Sequence, residues 1–351
     1  MLTVCYENKI TKDVIDKEEK DFKALSKPIK ICITNAACPI CYYLVSCITS
    51  EDVFGPGIEI AIRLLVSSAS DIDLVKGTAM DAEDLANGLL RDIKVYTSAH
   101  EAFEDCSFVI VLDSLSRSYA ESQKEWLARN QEHFSRCATI INDKALRTCK
   151  VLVAGNGPIN YNATVMVQNA PSLSHKNIVA VSSVVEMQAR SLIGEKLNVN
   201  PAGVFNMVLW GDINGKRYID VSNLRVHGYD GAVKGPYWHS VDAVEMIHDY
   251  KWIEKDLPKL VTARADKSFD SQNYLTGLST ANSISNTIQK LCRGYPKNQM
   301  FSLGIYSEGW YAVPVGMFFS FPVTMDPKGC WNVVQDIELS RETKDGIEAA
   351  V

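Results

Sequence analysis

Between Lys30 and Ala154 the chain alternates short, largely apolar runs with more polar stretches. The runs are Ile31-Cys32-Ile33, Glu59 to Val66, Phe108 to Leu112 and Val151 to Ala154. Runs of this length with little polar alternation suit strands buried on both faces of a parallel sheet. The stretches between them predict a helix beginning near Cys38-Pro39, a second over Met80 to Leu90 and a third over Lys124 to Phe134. Strands separated by helices make βαβ units, so residues 28–156 are expected to form a doubly wound domain. Beyond Asn156 the texture changes to a longer strand, Phe205 to Trp210, long helical stretches, and hairpin-like segments near Phe301 to Tyr306 and Phe318 to Val323. Residues 157–351 therefore read as a mixed α/β domain. Residues 1–27 carry the charged run Lys17-Glu18-Glu19-Lys20-Asp21 and no apolar strand, and read as a solvated leader helix or linker.

Composition narrows the functional classes. At 351 residues and 46% hydrophobic, the chain can bury the cores of about two domains without staples. Its 36 basic and 42 acidic residues give a net charge of −6, which offers no positive field to nucleic acid or to an anionic membrane. Ten cysteines spaced irregularly, with no recognisable secretory leader, fit reduced thiols and a cytoplasmic setting. The uncharged stretch from Ile31 to Ser50 is long enough to span a bilayer, yet it contains Thr34, Asn35, Pro39, Ser46 and Thr49 and divides into a strand and the first turns of a helix.

The first strand runs into Thr34-Asn35-Ala36-Ala37-Cys38-Pro39-Ile40, where a dinucleotide-binding fold places its glycine-rich turn. Glycine is missing; Asn35 tolerates a left-handed backbone, but Cys38 adds a side chain where a phosphate needs close approach. At the end of the second strand, where an acidic residue would hold ribose hydroxyls, Ser67 stands and no carboxylate follows until Asp71. Cys38 and Cys41 form a C-x-x-C at a helix N-terminus, which would favour a thiolate. Two readings stay open for them, a thiol redox pair and small buried hydrophobes. The six histidines, His100, His133, His175, His227, His239 and His248, read as surface residues. No metal site is expected, because no second ligand pair has suitable spacing. G-x-S-x-G, H-E-x-x-H and phosphate-loop runs are absent.

Several segments together resemble the cytosolic malate dehydrogenase type within the lactate/malate dehydrogenase superfamily: Ile31 to Ala37, Val53-Phe54-Gly55, Ala154-Gly155-Asn156, Val208-Leu209-Trp210-Gly211 and Phe319 to Val323. Their order and spacing match from about Lys30 to Glu342. The resemblance implies a Rossmann-type doubly wound parallel sheet followed by a mixed α/β C-terminal domain, NAD as cofactor, a small dicarboxylate substrate and a homodimer. Through Cys41-Tyr42, Glu51 to Gly55 and Trp210 to Gly215 the chain is most similar to a divergent branch of that family. That branch carries an extra N-terminal domain, of whose linker residues 1–27 would be a remnant.

Active relatives pair a proton-accepting histidine with an orienting aspartate and clamp the substrate with arginines. Carried over by position, the histidine becomes Ile213, the aspartate Val185 and the arginine of the same run Gln188. Of two loop arginines the first is matched by Arg117, and the second is Gln123. Asn130 and Ala154, near the cofactor, and Asn156, near the substrate, match the family, although asparagine also serves plain helix and turn structure. Glu186 is the nearest candidate base. An alcohol cannot lose hydride unless its proton is removed, and glutamine reproduces neither the charge nor the fork of arginine. The expectation is a catalytically silent binding or scaffold protein; the alternatives are a weak or altered malate dehydrogenase and a Cys38/Cys41 redox protein.

Overall fold

A computed structural model describes residues 27–351 apart from 114, 116, 118–119, 156, 228–238, 273–276, 297–298 and 327–328. The leader and Asn156 thus lie outside the described residues. Six strands, β1 (Ile29–Ile33), β2 (Ile60–Leu65), β3 (Leu90–Tyr96), β4 (Phe108–Val111), β5 (Lys150–Val153) and β6 (Ile178–Ala180), pair in parallel in the order β3-β2-β1-β4-β5-β6. β1, β4 and β5 lie inside this half, and β4 is buried at every position, as its unbroken apolar sequence requires. The order reverses between β1 and β4, which opens a crevice beyond their carboxyl ends.

Helices α1 (Pro39–Ile48), α2 (Ile72–Asp84), α3 (Gln123–Lys144) and α4 (Ile159–Asn169) cross over between these strands. α1 starts with proline at its first turn and buries Ile40, Cys41, Leu44, Val45 and Ile48, a spacing of three and four that makes one apolar stripe. α3 opens on a capping box: Ser122 accepts from the Glu125 N–H, and Glu125 accepts from the Ser122 N–H.

The expected helix at Met80 to Leu90 is misplaced. The helix ends at Asp84, Asn87 and Gly88 make a turn in which the Leu89 N–H bonds the Asn87 side chain, and Leu90 begins a strand. β3 escaped notice because Leu90-Arg91-Asp92-Ile93-Lys94-Val95-Tyr96 is an edge strand, with charges on its solvated face.

Past α5 (Ser183–Leu197) the topology turns antiparallel. The strands are β7 (Val204–Phe205), β8 (Val208–Gly211), β9 (Arg217–Asp220), β10 (Arg225–Val226), β11 (Val241–Asp242), β12 (Phe301–Tyr306), β13 (Phe318–Met325) and β14 (Trp331–Val333). Helices α6 (Ala243–Ile247), α7 (Leu257–Gln272), α8 (Gly277–Arg293) and α9 (Arg341–Ala350) complete this half. β12, β13, β8 and β9 extend the first sheet, joined to β6 through Gly304 and Ala180. A Cβ at Gly304 would fall 2.6 Å from that of Ala180, so only glycine allows the two halves to meet. The single strand expected over Phe205 to Trp210 is divided at Asn206, whose φ is +60°. Its first part, β7, belongs to a separate sheet with β10 and β11. Apolar clusters fill both faces of the large sheet, and among the described residues no helix is long and apolar enough to cross a membrane.

Candidate functional site

Side chains from the strand ends and one helix bond one another at the switch point. Thr34 follows β1, Ser67 lies just beyond β2, and Asp113, buried and absent from the sequence-based candidates, lies just beyond β4. Thr34 Oγ1 donates to Asp113 Oδ2 and accepts from the Leu112 N–H at 3.1 Å. Ser67 Oγ donates to Asp113 Oδ1 at 3.4 Å, and His133 Nε2, from α3, lies 3.4 Å from the same oxygen. Asn35 takes the left-handed conformation foreseen for it, at φ +49°, and its amide donates to the Leu112 carbonyl at 3.2 Å. Three strand ends and a helix thus converge on one carboxylate. The sequence carried one signal for it, an acid placed directly after the apolar run Phe108 to Leu112.

Cys38 is the N-cap of α1 and half-buried, while Cys41 is fully buried. Burial pushes the Cys38 thiol up, and the N–H groups of Cys41 and Ile40 only partly offset it; burial pushes Cys41 well above the ordinary thiol range. The thiolate-favouring influence expected from the helix start is therefore outweighed by desolvation. Native protein held under mild oxidant should show no Cys38–Cys41 disulfide in its intact mass and no alkylation of Cys41. A reversible mass loss corresponding to that bond would revive the redox reading.

The second half of the site lies around the β8–β9 hairpin. Gly211 has φ +110°, and a Cβ there would meet the Lys216 carbonyl oxygen at 2.5 Å, so the turn after Trp210 requires glycine. Asn214 donates to the carbonyls of Gly155 at 3.3 Å and Gly157 at 2.8 Å, and so brings this hairpin against the loop after β5. Ile213 is 2% exposed, with its Cδ1 in the contact shell of Gly304, and Val185 is buried in the same apolar cluster. Asp212, beside Ile213, has its carboxyl pushed up by burial, against the Asn214 N–H and Arg217. Its Oδ1 accepts from that N–H at 3.1 Å. It is a titratable group that the sequence reading passed over.

The remaining positions scatter. Gln188 is half-buried on α5, Gln123 is exposed at the start of α3, and Arg117 is exposed with its Nε donating to the Glu121 carbonyl at 2.9 Å. Ala154 is buried and its N–H bonds the Val111 carbonyl at 3.1 Å. Asn130 is fully buried; its amide donates to the Trp126 carbonyl at 2.9 Å and its oxygen accepts from Asn162 at 3.4 Å, so its groups are engaged in packing α3 against α4.

Glu186 is not an available base. Its carboxylate is 2% exposed; it forms an ion pair with Arg190 one turn along α5 and accepts from the Ser302 N–H at 3.1 Å. Lys290, on α8, lies 3.9 Å over the Phe301 ring. The surface expectation fails for His227, which is buried and stacked on Phe205. It holds for His100, His239 and His248, which are exposed, while His175, with Nε2 3.0 Å from Glu308, and His133, facing Asp113, are partly exposed.

Comparison with known proteins gives this geometry a lineage. Residues 29–179 match the NAD-binding domain of lactate/malate dehydrogenase and residues 186–351 its alpha/beta C-terminal domain. The protein named "Putative malate dehydrogenase 1B" from Branchiostoma floridae is 36% identical over 98% of this chain, which spans 65% of that protein's length. Its namesake from Bos taurus is 30% identical over 96% of this chain and 70% of its own. "Malate dehydrogenase, cytoplasmic" from Gallus gallus is 29% identical over 92% and 94%. The crystal structure of malate dehydrogenase from Naegleria fowleri superposes with a TM-score of 0.83 at 23% identity, covering 93% of this chain and 95% of that one, a likeness of fold. With both domain models matched in order along nearly all of the described chain, this protein belongs to the lactate/malate dehydrogenase family.

Proposed function

We propose that this chain is a non-catalytic member of its family, a cytoplasmic binding or scaffold protein that keeps the dehydrogenase fold without its proton chemistry. The observation that carries this reading is Ile213. The position that follows the Trp210-Gly211 turn and would hold the proton acceptor is an aliphatic side chain packed into the core beside Gly304. Val185, at the position of the orienting acid, belongs to the same cluster, and Glu186 is committed to Arg190 and Ser302. A positioned base contributes about 10²- to 10⁴-fold, and misplacing the substrate carbon adds to the loss. A second copy of this chain is the partner that the resemblance suggests, and the matched domain makes NAD the cofactor class to test.

A second reading has one specific observation in its favour. Asp212 adjoins Ile213 with its carboxyl pKa raised by burial, and Arg117 is exposed, so the chain keeps one titratable acid and one cation for a weak or altered oxidoreductase of a small dicarboxylate. One assay separates the readings: oxaloacetate-dependent NADH oxidation at micromolar protein, beside an active malate dehydrogenase. The expected rate is background, at least about 10⁴-fold below the control. Turnover that scales with protein concentration and disappears in Asp212→Asn would establish the second reading.

A further inference from the structure

The crevice at the switch point raises a separate question, namely what its chemistry admits. In a doubly wound sheet a dinucleotide lies across the carboxyl ends of the strands, with its pyrophosphate at the start of the first helix, where free N–H groups and the helix dipole attract negative charge. Here a negative group stands at the strand ends beside that place. Asp113 leaves β4 across from Thr34, on the two strands that flank the switch point, and draws in Ser67 from the β2 end and His133 from α3. The influence of Asp113 also reaches the first helix, since its charge is among the causes that raise the Cys38 thiol at the α1 N-cap. The first turn of α1 carries no acidic residue of its own.

We propose that Asp113 is a built-in anion that takes the place of the pyrophosphate, making the crevice select against phosphorylated dinucleotides and admit an uncharged, nucleoside-like ligand instead. Two effects act together. A carboxylate and a pyrophosphate repel each other in a partly desolvated cleft, where water screens poorly. The hydroxyls of Thr34 and Ser67, which could otherwise serve a phosphate, are spent on the carboxylate. The residues present do not fit the central part of NAD, although the surrounding domain matches the NAD-binding type. The inference rests on the non-catalytic reading for its setting, but it is read by binding alone.

The test is a titration of the full chain with adenosine, ADP-ribose and NADH, for the wild type, Asp113→Asn and Asp113→Gly. In the wild type, ADP-ribose and NADH should bind no more tightly than adenosine. Both substitutions should raise the affinity for ADP-ribose and NADH at least tenfold while changing that for adenosine less than threefold, with the glycine variant gaining more. Wild-type protein that binds ADP-ribose more than tenfold tighter than adenosine overturns the proposal. So do folded variants that gain nothing for either pyrophosphate ligand. Should both variants fail to fold, the wild-type series decides by itself at low and high salt, because screening weakens a repulsion and should favour ADP-ribose as ionic strength rises. No binding of any ligand by that protein at either salt would also count against it. Turnover by the wild type would overturn the non-catalytic reading; tight, pyrophosphate-dependent binding without turnover would overturn only the role of Asp113.

Discussion

Replacing Glu186 by alanine is expected to lower the free energy of unfolding by about 3–5 kcal/mol, the range found when one partner of a buried ion pair is removed. The carboxylate is 2% exposed and the Arg190 side chain 18%, so water can do little to restore what is lost. Its removal leaves the Arg190 guanidinium without its counter-charge and the Ser302 N–H without an acceptor. Lys290, already pushed down to about 8 by burial, loses the nearby charge that favours its ammonium form. The loss should also spread toward the site, because Ser302 Oγ accepts from the Leu209 N–H at 2.8 Å and Leu209 lies on the strand that ends at Gly211. Glu186→Gln keeps an acceptor for Ser302 but not the charge, and should fall between wild type and alanine. A catalytic base would behave in the opposite manner, with the glutamine variant as stable as wild type and devoid of activity. Urea unfolding of the three proteins decides it; an alanine variant within about 1 kcal/mol of wild type would sink the structural assignment.

The sheet was legible where burial is two-sided and opaque where it is not. Phe108 to Val111 could be read as a strand because every position is buried, whereas Leu90 to Tyr96 mixes three charged residues into an edge strand and hides in a helix-like pattern. The Asn87-Gly88 pair was a usable stop signal for the preceding helix and was passed over. Asn206 divides the apparent strand before Trp210 by a left-handed backbone angle that its apolar neighbours do not announce.

The site divides in the same way. Ile213 and Val185, the positions on which the proposed loss of proton chemistry rests, are reached by counting from the Trp210-Gly211 turn and along α5, because substitutions within similar motifs are visible in one dimension. Asp113 could not. Its partners Thr34, Ser67 and His133 stand far apart in sequence and become neighbours only when three strand ends and α3 converge. Glu186 shows the reverse error: an acid next to a family position looked available until folding placed Arg190 and Ser302 against it.

The cysteines lead to the second large expectation, that the fold loses stability steeply as the pH rises above about 8.5. Cys32, Cys41, Cys106 and Cys149 are all 0% exposed, and burial holds each thiol above its ordinary range, Cys106 at about 11. Above about pH 8.5, where a free thiol titrates, the unfolded chain gives up these protons and the folded chain keeps them. The unfolded state then binds fewer protons, so the stability that is fully present at lower pH falls by about 1.4 kcal/mol per pH unit for each thiol. Lys290 opposes this. With its folded value lowered to about 8, the unfolded chain holds the extra proton from there up to the ordinary lysine range, and this one group makes stability rise with pH. These four thiols against one lysine leave a net loss of at least about 4 kcal/mol per pH unit at its steepest, enough to consume the stability of an ordinary domain within a few units. The raised thiols of Cys137 and Cys292 act in the same direction. Urea midpoints measured under reductant from pH 8 to 10 should fall continuously, Cys149→Ala should flatten the decline by about 1.4 kcal/mol per unit, and Lys290→Met should steepen it. A level profile over that interval would mean that the thiols ionise inside the fold, and with that the case for them as inert core residues, Cys41 included, would be lost.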